Sequence, residues 1–250
     1  AVAAALNELN AFDGASVDEL DYERRVSGYA ALPPLVNRAP PPLLLPLLAN
    51  AIHDVERDDI ALRHSATHTI TLLARRAAAE PPPADGTPPT GVRGLLERVL
   101  MPALRRHLRL PPERNTLFVE ALKLLGSTLL LLPALQPDLA TLLSPAEPEA
   151  DFFYNITHVQ MPRRQRALAR LRARVDGGAF EIPTLSHYLL PLLRALVVRE
   201  APNEADVAEE AVVTLRAVAA RLPWRPYLGI LQAFSRLLTT RPRLEKRLVR

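Results

Sequence analysis

The stretch DFFYNITHVQMPRRQRALARL, residues 151–171, decides the fold because it holds two helical patterns joined by a tight turn at Met161-Pro162. The apolar positions are Phe152, Ile156 and Val159 in the first half, then Leu168, Leu171 and Val175 in and after the second. Two helices this short cannot bury their apolar faces alone, so the pair must stack on neighbouring pairs. The stretch therefore predicts an all-α protein, an α-solenoid of helical repeats.

Three apolar helical segments with a central proline indicate the same architecture. They are Leu44-Leu45-Pro46-Leu47-Leu48, Leu100-Met101-Pro102-Ala103-Leu104 and Leu189-Leu190-Pro191-Leu192-Leu193. An interior proline costs a helix about 3 kcal/mol, so it normally marks a kink that the fold accommodates. The first helix of a HEAT-type pair commonly carries such a kink, and the spacing of the prolines fits repeats of roughly 40–47 residues. The 250 residues have room for five to six such helix pairs.

Second helices are predicted after these segments. Asp58 or Asp59 is placed to cap a helix that starts at Ile60. Residues 113–131 and 204–222 show the same helical pattern, and Asn203 with acidic Glu204 marks the start of the latter. Residues 21–29 open another helix of this kind.

If these repeats form, the apolar residues that face neighbouring helices are mostly buried. They are Leu45, Leu48, Leu62, Ile70, Leu100, Leu104, Phe152, Ile156, Leu168, Leu171, Leu190, Leu193, Leu215 and Trp224. Each large side chain that is fully buried contributes about 1.5–3 kcal/mol to stability.

Two proline-containing stretches divide the helical patterns. Residues 80–90, EPPPADGTPPT, predict an extended and exposed insertion, and residues 144–150 predict a shorter linker. The repeats are therefore expected at 1–79, 91–143 and 151–250. The chain lacks an initial Met and stops inside the charged helical run 243–250, so we expect it to be a piece of a longer protein.

Composition excludes several classes of protein. The absence of cysteine excludes disulfides, cysteine-bound zinc and thiol nucleophiles. No apolar run approaches the roughly 20 residues of a membrane-spanning helix, so no membrane partner is expected. The net charge of +4 permits an anionic partner without requiring one. All but Lys123 and Lys246 of the 31 basic residues are arginine, a bias that makes the arginine count alone a weak argument for RNA binding.

No catalytic, cofactor-binding or metal site is predicted, and no small-molecule substrate. His64 and His68 lie four residues apart, as two metal ligands on a helix would, but no glutamate follows His64 and His53 is the only nearby third candidate. A solvated or core-edge role is therefore favoured for both. The chain has no glycine-rich phosphate loop, and Gly126-Ser127 lacks the glycine spacing of a nucleophile elbow.

The arginines after residue 161 fall on different faces of their helix. Arg163, Arg166, Arg170 and Arg174 share one narrow face at about 100° per residue. Guanidinium groups in such a row repel one another unless an anion or an acidic surface lies opposite, so these four are candidate RNA-facing or partner-facing residues. The alternative is a solvated face in an arginine-biased chain. Few aromatic residues accompany them, so base stacking is not expected.

Arg164 is predicted to have a structural role. It shares a face with Leu168, Leu171 and Val175, which is the face that packs. A buried guanidinium is usually paired, because an unpaired buried charge is costly, and Asp151 is a possible partner.

Three segments resemble the down-regulated-in-metastasis family of giant HEAT-repeat proteins. Residues 151–171 resemble its signature through Asp151, Phe152, Phe153, Asn155, Ile156, His158, Gln160, Arg163, Arg164, Arg166, Ala167 and Leu168. Residues 21–29 resemble its segment D-Y-[DE]-x-R-[LV]-x-x-[FY], and residues 222–227, which include Trp224, resemble L-x-W-x-x-Y. The chain departs from the family at Met161-Pro162, where members usually carry a basic or histidine residue.

The resemblance implies a non-catalytic scaffold of the small-subunit processome in the nucleolus. Its implied partners are other processome proteins, U3 small nucleolar RNA and pre-ribosomal RNA, and its implied role is maturation of the small ribosomal subunit. The implied structural signature comprises Asp151, Phe152, Phe153, Asn155, His158, Gln160, Arg164 and Trp224. The alternative function is a HEAT-repeat adaptor for transport, or a phosphatase scaffold, that binds protein partners in its groove. Such proteins usually display acidic or Asn-rich ladders on their inner helices, which this sequence lacks.

Overall fold

The computed structural model describes residues 1–14, 19–83, 87–110, 118–199, 202–245 and 249. In this part of the chain the secondary structure is helical apart from one isolated antiparallel bridge between Phe12 and Leu20. The predicted all-α class of packed helical repeats is confirmed. The chain divides into two compact units, Ala1–Leu104 and Arg105–Arg250.

The first unit is built around a long helix pair. Its helices are α1 (Val2–Leu9), α2 (Tyr22–Ala30), α3 (Pro33–Arg38), α4 (Pro41–Val55), α5 (Ile60–Ala79) and α6 (Gly91–Leu95), with a π-helical turn at Leu96–Leu100. Helix α4 packs along α5, while α2 packs on α1 and α5. Helix α7 (Met101–Arg109) contains the division between the two units. The proline-bearing segment around Pro46 and its predicted second helix thus form one packed pair.

The second unit continues the pattern of packed helices. Its helices are α8 (Phe118–Leu131), α9 (Pro137–Ala140), α10 (Phe152–Ile156), α11 (Met161–Asp176), α12 (Ile182–Thr184), α13 (Leu190–Val197), α14 (Ala205–Arg221) and α15 (Trp224–Thr240). Helix α14 packs against α11 and α13, and α10 contacts α8 and α11. The predicted helices 113–131 and 204–222 correspond to α8 and α14, although residues 111–117 lie outside the described residues.

Aspartates begin several of these helices. Asp59 caps α5 by accepting a hydrogen bond from the Leu62 amide at 2.7 Å, and Asp21 caps α2 through the Arg24 amide at 2.9 Å. Of the two candidates at the start of α5, Asp59 is therefore the cap, and Asp58 is exposed. Helix α14 begins after Glu204 without a side-chain cap, and Asn203 lies in the 3₁₀ turn Pro202–Glu204 that leads into it.

Two of the three mid-helix prolines follow a π-helical turn. The turn Leu96–Leu100 precedes Pro102, and the turn Leu185–Leu189 precedes Pro191. A proline ring clashes with the carbonyl four residues earlier and removes an N–H donor. Those carbonyls belong to Arg98 and His187, which lie inside the turns, where the hydrogen-bonding pattern has shifted to i→i+5. The π turns therefore accommodate the two prolines.

Most residues predicted to be buried are buried. Leu48, Leu62, Ile70, Leu100, Leu104, Phe152, Ile156, Leu168, Leu171, Leu193 and Leu215 all have 5 % or less of their surface exposed. Leu190 is half-buried, and the prediction is wrong for Leu45 and for Trp224, which is 65 % exposed. Leu45 lies off the face of α4 that Leu44 and Leu48 bury.

Arginines from neighbouring elements bind carbonyls at or just beyond the C-terminal ends of helices. These arginine C-caps are Arg25 Nε to Leu9 O (2.5 Å), Arg76 Nη1 to the Val36 and Ala39 carbonyls, Arg93 Nη2 to Ala77 O (3.1 Å), Arg174 Nη1 to Thr141 O (2.6 Å), Arg194 Nη2 to Arg109 O (2.9 Å) and Arg221 Nη1 to Val175 O (3.0 Å). The last carbonyls of a helix have no intrahelical donor, and the negative end of the helix dipole favours a cation there. Six arginines of the described residues thus bind helix ends.

The proline-rich insertion is exposed where the structure describes it. Pro81, Pro82, Pro83, Thr87 and Pro88 are exposed, and residues 84–86 lie outside the described residues. Its two ends are joined, because the Glu80 carboxylate accepts hydrogen bonds from the amides of Val92 (2.9 Å) and Arg93 (3.2 Å) at the start of α6. The subdivision of the chain at 80–90 and 144–150 stays a prediction.

Candidate partner-binding surface

The residues of the predicted signature form the junction between α8, α10 and α11. Asp151 caps α10 through the Tyr154 amide at 2.7 Å and also accepts from the Ser144 amide at 3.0 Å. Phe152 and Phe153 are buried and meet edge to face, with ring centroids 5.5 Å apart. The buried Asn155 amide donates to Pro148 O (2.7 Å) and Asp151 O (2.6 Å). These side chains fasten the preceding linker onto α10.

Helix α10 is shorter, and the turn between α10 and α11 is longer and more exposed, than the sequence predicts. Helix α10 ends at Ile156, so Val159 lies outside it and is 87 % exposed, which makes the predicted burial face wrong at this position. His158 Nδ1 accepts a hydrogen bond from the amide of Gln160, the exposed N-cap residue of α11, at 3.0 Å. The His158 ring also lies 5.7 Å from the Tyr154 ring. The two signature residues His158 and Gln160 therefore shape the turn.

Trp224 of the signature lies apart from this junction, at the start of α15. Its exposed ring lies 6.1 Å from the ring of Tyr227. Of α15, only Ile230 is buried among the described residues. Trp224 therefore does not act as a core residue in this structure.

Arg164 is buried, as its helical face predicts, but its partner is not Asp151. Its Nη1 lies 2.7 Å from Glu204 Oε1, in the 3₁₀ turn that leads into α14, and Arg199 lies 3.4 Å from the same oxygen. Burial by itself raises the pKa of Glu204, but hydrogen bonds and charges from Arg164 and Arg199 outweigh it and hold the pKa below its usual value. The Arg199 guanidinium also lies over the Phe118 ring at 5.5 Å. Arg164 thus links α11 to α14 and, through Glu204 and Arg199, to α8.

The row of four arginines on α11 is mostly engaged by the chain itself. Arg163 lies 3.3 Å from Glu149 Oε1, the Arg170 guanidinium binds Glu149 O, and Arg174 is one of the arginine C-caps. Three of the four therefore hold the segment that connects α9 to α10. Arg166 is exposed and makes no hydrogen bond or ion pair within the described residues. That this row faces a partner stays a prediction. Arg166 is the arginine of the row that remains available to a partner, since it makes no hydrogen bond or ion pair within the described residues.

An apolar groove of about 640 Å³ lies beside the signature, between α8, the 143–148 segment and α10. Its lining includes Gly126, Ser127, Leu130, Phe153, Tyr154 and His158. Gly126 permits the close approach of α10, because a Cβ at this position would lie 2.8 Å from the Cβ of Phe153. Signature residues therefore both seal the core and border this surface.

Sequence reasoning missed a buried polar network in the first unit. Arg25 of the 21–29 segment pairs with Asp54 at 2.9 Å, and both side chains have 2 % or less of their surface exposed. The Tyr29 hydroxyl donates to Asp54 at 2.7 Å, and Asn50 Nδ2 donates to the same carboxylate at 3.1 Å. Burial and the charge of Asp54 raise the pKa of Tyr29. The available signal was Asp54 itself, a carboxylate in the otherwise apolar helix after Pro46.

The described residues contain neither a metal-binding cluster nor a membrane-spanning helix. No group of three or more histidine, cysteine or acidic side chains is placed to hold a metal ion among those residues, and His64 and His68 are exposed. Within the same residues no helix is long and apolar enough to cross a membrane.

Comparison with known proteins gives one consistent relationship. Residues 1–111 match the family model described as "U3 small nucleolar RNA-associated protein 20, N-terminal". A Saccharomyces cerevisiae protein named "U3 small nucleolar RNA-associated protein 20" is 26 % identical over 245 residues, which cover 97 % of this chain and 10 % of that protein. A Schizosaccharomyces pombe protein of the same name is 26 % identical over 243 residues, covering 93 % of this chain and 9 % of that protein.

The chain thus spans about a tenth of the length of these two relatives. The two matches run across both units of the fold and therefore across all three motif segments. The relationship that the motifs predicted is confirmed: the chain is similar to U3 small nucleolar RNA-associated protein 20 along nearly its whole length.

Proposed function

We propose that this chain is one stretch of a non-catalytic helical-repeat scaffold of the small-subunit processome. In this proposal the whole protein works in the nucleolus, associates with the U3 small nucleolar ribonucleoprotein, and supports pre-ribosomal RNA processing and assembly of the small ribosomal subunit. Its partners are other processome proteins, U3 small nucleolar RNA and pre-ribosomal RNA. The observation that carries the proposal is the match of nearly the whole chain to two relatives named for U3 small nucleolar RNA association.

The structure supports a scaffold role through the kind of groups it presents. The buried polar residues described above are engaged in helix packing: Arg25 with Asp54 in the first unit and Arg164 with Glu204 in the second. The groups left at the surface include the apolar groove beside α10 and the exposed Arg166. Such surfaces suit binding of large partners.

Affinity purification of the tagged full-length protein tests the proposal. We expect U3 small nucleolar RNA and pre-ribosomal RNA to be enriched with the wild-type protein, as measured by reverse transcription and quantitative PCR. Co-purification of neither RNA would refute the assignment. Depletion of the protein should in addition lower the amount of mature small-subunit RNA relative to large-subunit RNA.

The role of the α11 arginines is tested in the same assay. Arg166→Glu reverses the charge of the arginine that makes no hydrogen bond or ion pair within the described residues. It should therefore leave the melting temperature unchanged and weaken association with the processome particle. Arg216→Glu, an exposed charge reversal on α14, is the matched control and should leave association unchanged. Equal particle association for wild type and Arg166→Glu would return the row to the solvated alternative.

A further inference from the structure

A second group of cations, outside the signature, has no acidic partner among the described residues. Arg105 and Arg109 lie four residues apart on α7, His187 lies in the π turn before α13, and Arg194 lies on α13. All four belong to the second unit. We call them the basic cluster. Elsewhere in the described residues, Arg24, Arg25, Arg163, Arg164, Arg172 and Arg199 each lie within ion-pair distance of a carboxylate.

The contacts that the basic cluster makes with the described residues leave its charge uncompensated. Arg194 donates to the Arg109 carbonyl at the end of α7, and Arg105 lies over the Tyr188 ring at 5.8 Å from its centroid. The end of a helix dipole offers about half a negative charge, which cannot balance three guanidinium groups. The exposed Arg109 side chain makes no hydrogen bond or ion pair with the described residues.

The charges of the cluster act on one another. The pKa of His187 is lowered by burial and then by the positive charges of Arg109 and Arg105. Burial also lowers the pKa of Arg194, and Arg109 lowers it further. No carboxylate of the described residues is among the causes of either pKa shift, so the positive groups act chiefly on one another. Like charges held together in this way favour an anion at the same place.

Two hydroxyl groups beside the cluster also lack partners. Tyr188 is 2 % exposed, and its hydroxyl makes no hydrogen bond within the described residues. The charge of Arg105 reaches this hydroxyl, because it acts to lower the pKa of Tyr188 against the effect of burial. The Ser186 hydroxyl is likewise buried and unbonded. Buried polar groups in native proteins normally find a partner, so donors without one next to unpaired cations favour an acceptor-rich ligand.

We propose that Arg105, Arg109, His187 and Arg194 form a binding site for the phosphate groups of an RNA backbone. Guanidinium groups bind phosphate through paired, directed hydrogen bonds, and Cβ atoms four residues apart on a helix are only about 5–6 Å apart. The aromatic ring at the site is buried under Arg105, so no exposed ring is offered for base stacking, and recognition is of the backbone. The choice of RNA over an acidic protein rests on the proposed function.

The salt dependence of RNA binding tests the site. The probe is a fluorescent oligouridylate titrated by anisotropy into the full-length protein at several salt concentrations. Each phosphate contact with single-stranded RNA contributes about 0.7 to the slope of log K against log salt. The double variant Arg105→Gln/Arg109→Gln should therefore lower the magnitude of this slope by about 1.4. An unchanged slope in a variant that keeps the wild-type melting temperature would overturn the proposal.

Two further variants separate the site from general charge and from folding. Arg75→Gln/Arg216→Gln removes two exposed charges outside the cluster and should leave the slope at the wild-type value. Arg105→Lys/Arg109→Lys keeps the charges and should keep the slope even if the glutamine variant does not fold. A reduced slope in this lysine variant, with folding intact, would contradict a phosphate contact.

Photo-crosslinking locates the contact and identifies the class of ligand. Oligouridylate that contains 4-thiouridine should crosslink to peptides that span residues 101–110 or 185–194, as detected by mass spectrometry. Cluster-dependent binding of labelled polyglutamate in place of oligouridylate would overturn the RNA assignment in favour of an acidic protein. Co-purification of U3 small nucleolar RNA is scored separately, so the site can fail while the proposed function stands, and the reverse.

Discussion

Gly126 shows at the scale of one residue why α8 and α10 can approach so closely. A Cβ at Gly126 would lie 2.8 Å from Phe153 Cβ and 2.9 Å from Phe153 Cγ, and these atoms are too near the backbone to swing away. Gly126→Ala should therefore lower the free energy of unfolding by about 1–3 kcal/mol. Gly229→Ala on α15, where no atom lies within 4 Å, should be neutral or stabilise by up to about 1 kcal/mol. Urea denaturation of both variants distinguishes the two effects, and equal stabilities would contradict the close approach.

The pairing of Arg164 shows what one sequence can and cannot predict about a residue. Its burial followed from the helical face that it shares with Leu168 and Leu171. Its partner did not, because Glu204 is 40 residues away in the chain and is brought there only by the packing of α14 on α11. Asp151, the expected partner, is instead engaged as the cap of α10. Local periodicity therefore predicts which residues are buried, while long-range pairing depends on tertiary contacts.

Glu204 should make stability depend on pH in acid. Its pKa in the folded protein lies below the ordinary value of 4.5, so its stabilisation is present above about pH 4.5 and is lost as the pH falls through the folded pKa. Glu204→Gln should lower the free energy of unfolding by about 3 kcal/mol at neutral pH, since Arg164 stays buried without its partner. The difference from wild type should shrink as the pH falls below 4.5. Asp206→Asn, an exposed control in the first turn of α14, should change stability by less than about 1 kcal/mol. A pH-independent effect of Glu204→Gln would rule out this linkage.

At the scale of the element, helix positions followed from the sequence better than helix ends did. The proline-bearing first helices and their partners were predicted because apolar periodicity and aspartate caps are local signals. The early end of α10 was not predicted, because Val159 continues the apolar helical spacing although the helix itself ends at Ile156. The π turns were also missed, since the sequence reports a proline but not the way a helix accommodates it.

The start of α5 offers a matched test of capping. Asp59 accepts a hydrogen bond from the Leu62 amide at 2.7 Å, whereas the neighbouring Asp58 is exposed and makes no such bond. Asp59→Ala should therefore destabilise the protein by about 1 kcal/mol. Asp58→Ala should stay within about 0.5 kcal/mol of wild type. Thermal denaturation followed by circular dichroism measures both, and the reverse order of stabilities would reassign the cap.

At the scale of the whole molecule, several arginines join elements within each unit. Arg76 binds two carbonyls at the end of α3 from the last turn of α5, while its neighbour Arg75 is exposed and makes no hydrogen bond or ion pair within the described residues. Arg76→Ala should cost about 1.5–3 kcal/mol, because hydrogen bonds from charged donors are the stronger class. Arg75→Ala should stay within about 0.5 kcal/mol. Chemical denaturation of the two variants gives the comparison, and equal midpoints would show that Arg76 does not stabilise the end of α3.

The candidate surfaces were less predictable than the fold. The row on α11 was found from helical periodicity, but its engagement by Glu149 and Thr141 depends on the path of the segment that connects α9 to α10. The basic cluster draws its members from α7, the π turn and α13, which lie far apart in sequence. No periodicity within one helix reports such a grouping.

The arginine C-caps also bear on how this chain can change over generations. Each cap has a side chain at one end and a main-chain carbonyl at the other, and every amino acid, proline included, supplies that carbonyl. Substitutions at the positions that supply the carbonyl therefore change a side chain without removing the acceptor, whereas loss of the arginine removes the hydrogen bond itself. Selection is thus expected to act on the identity of the arginine and not on the identity of the residue that supplies the carbonyl. Among related proteins, the residues at the helix ends should therefore vary while the arginines that bind them stay the same.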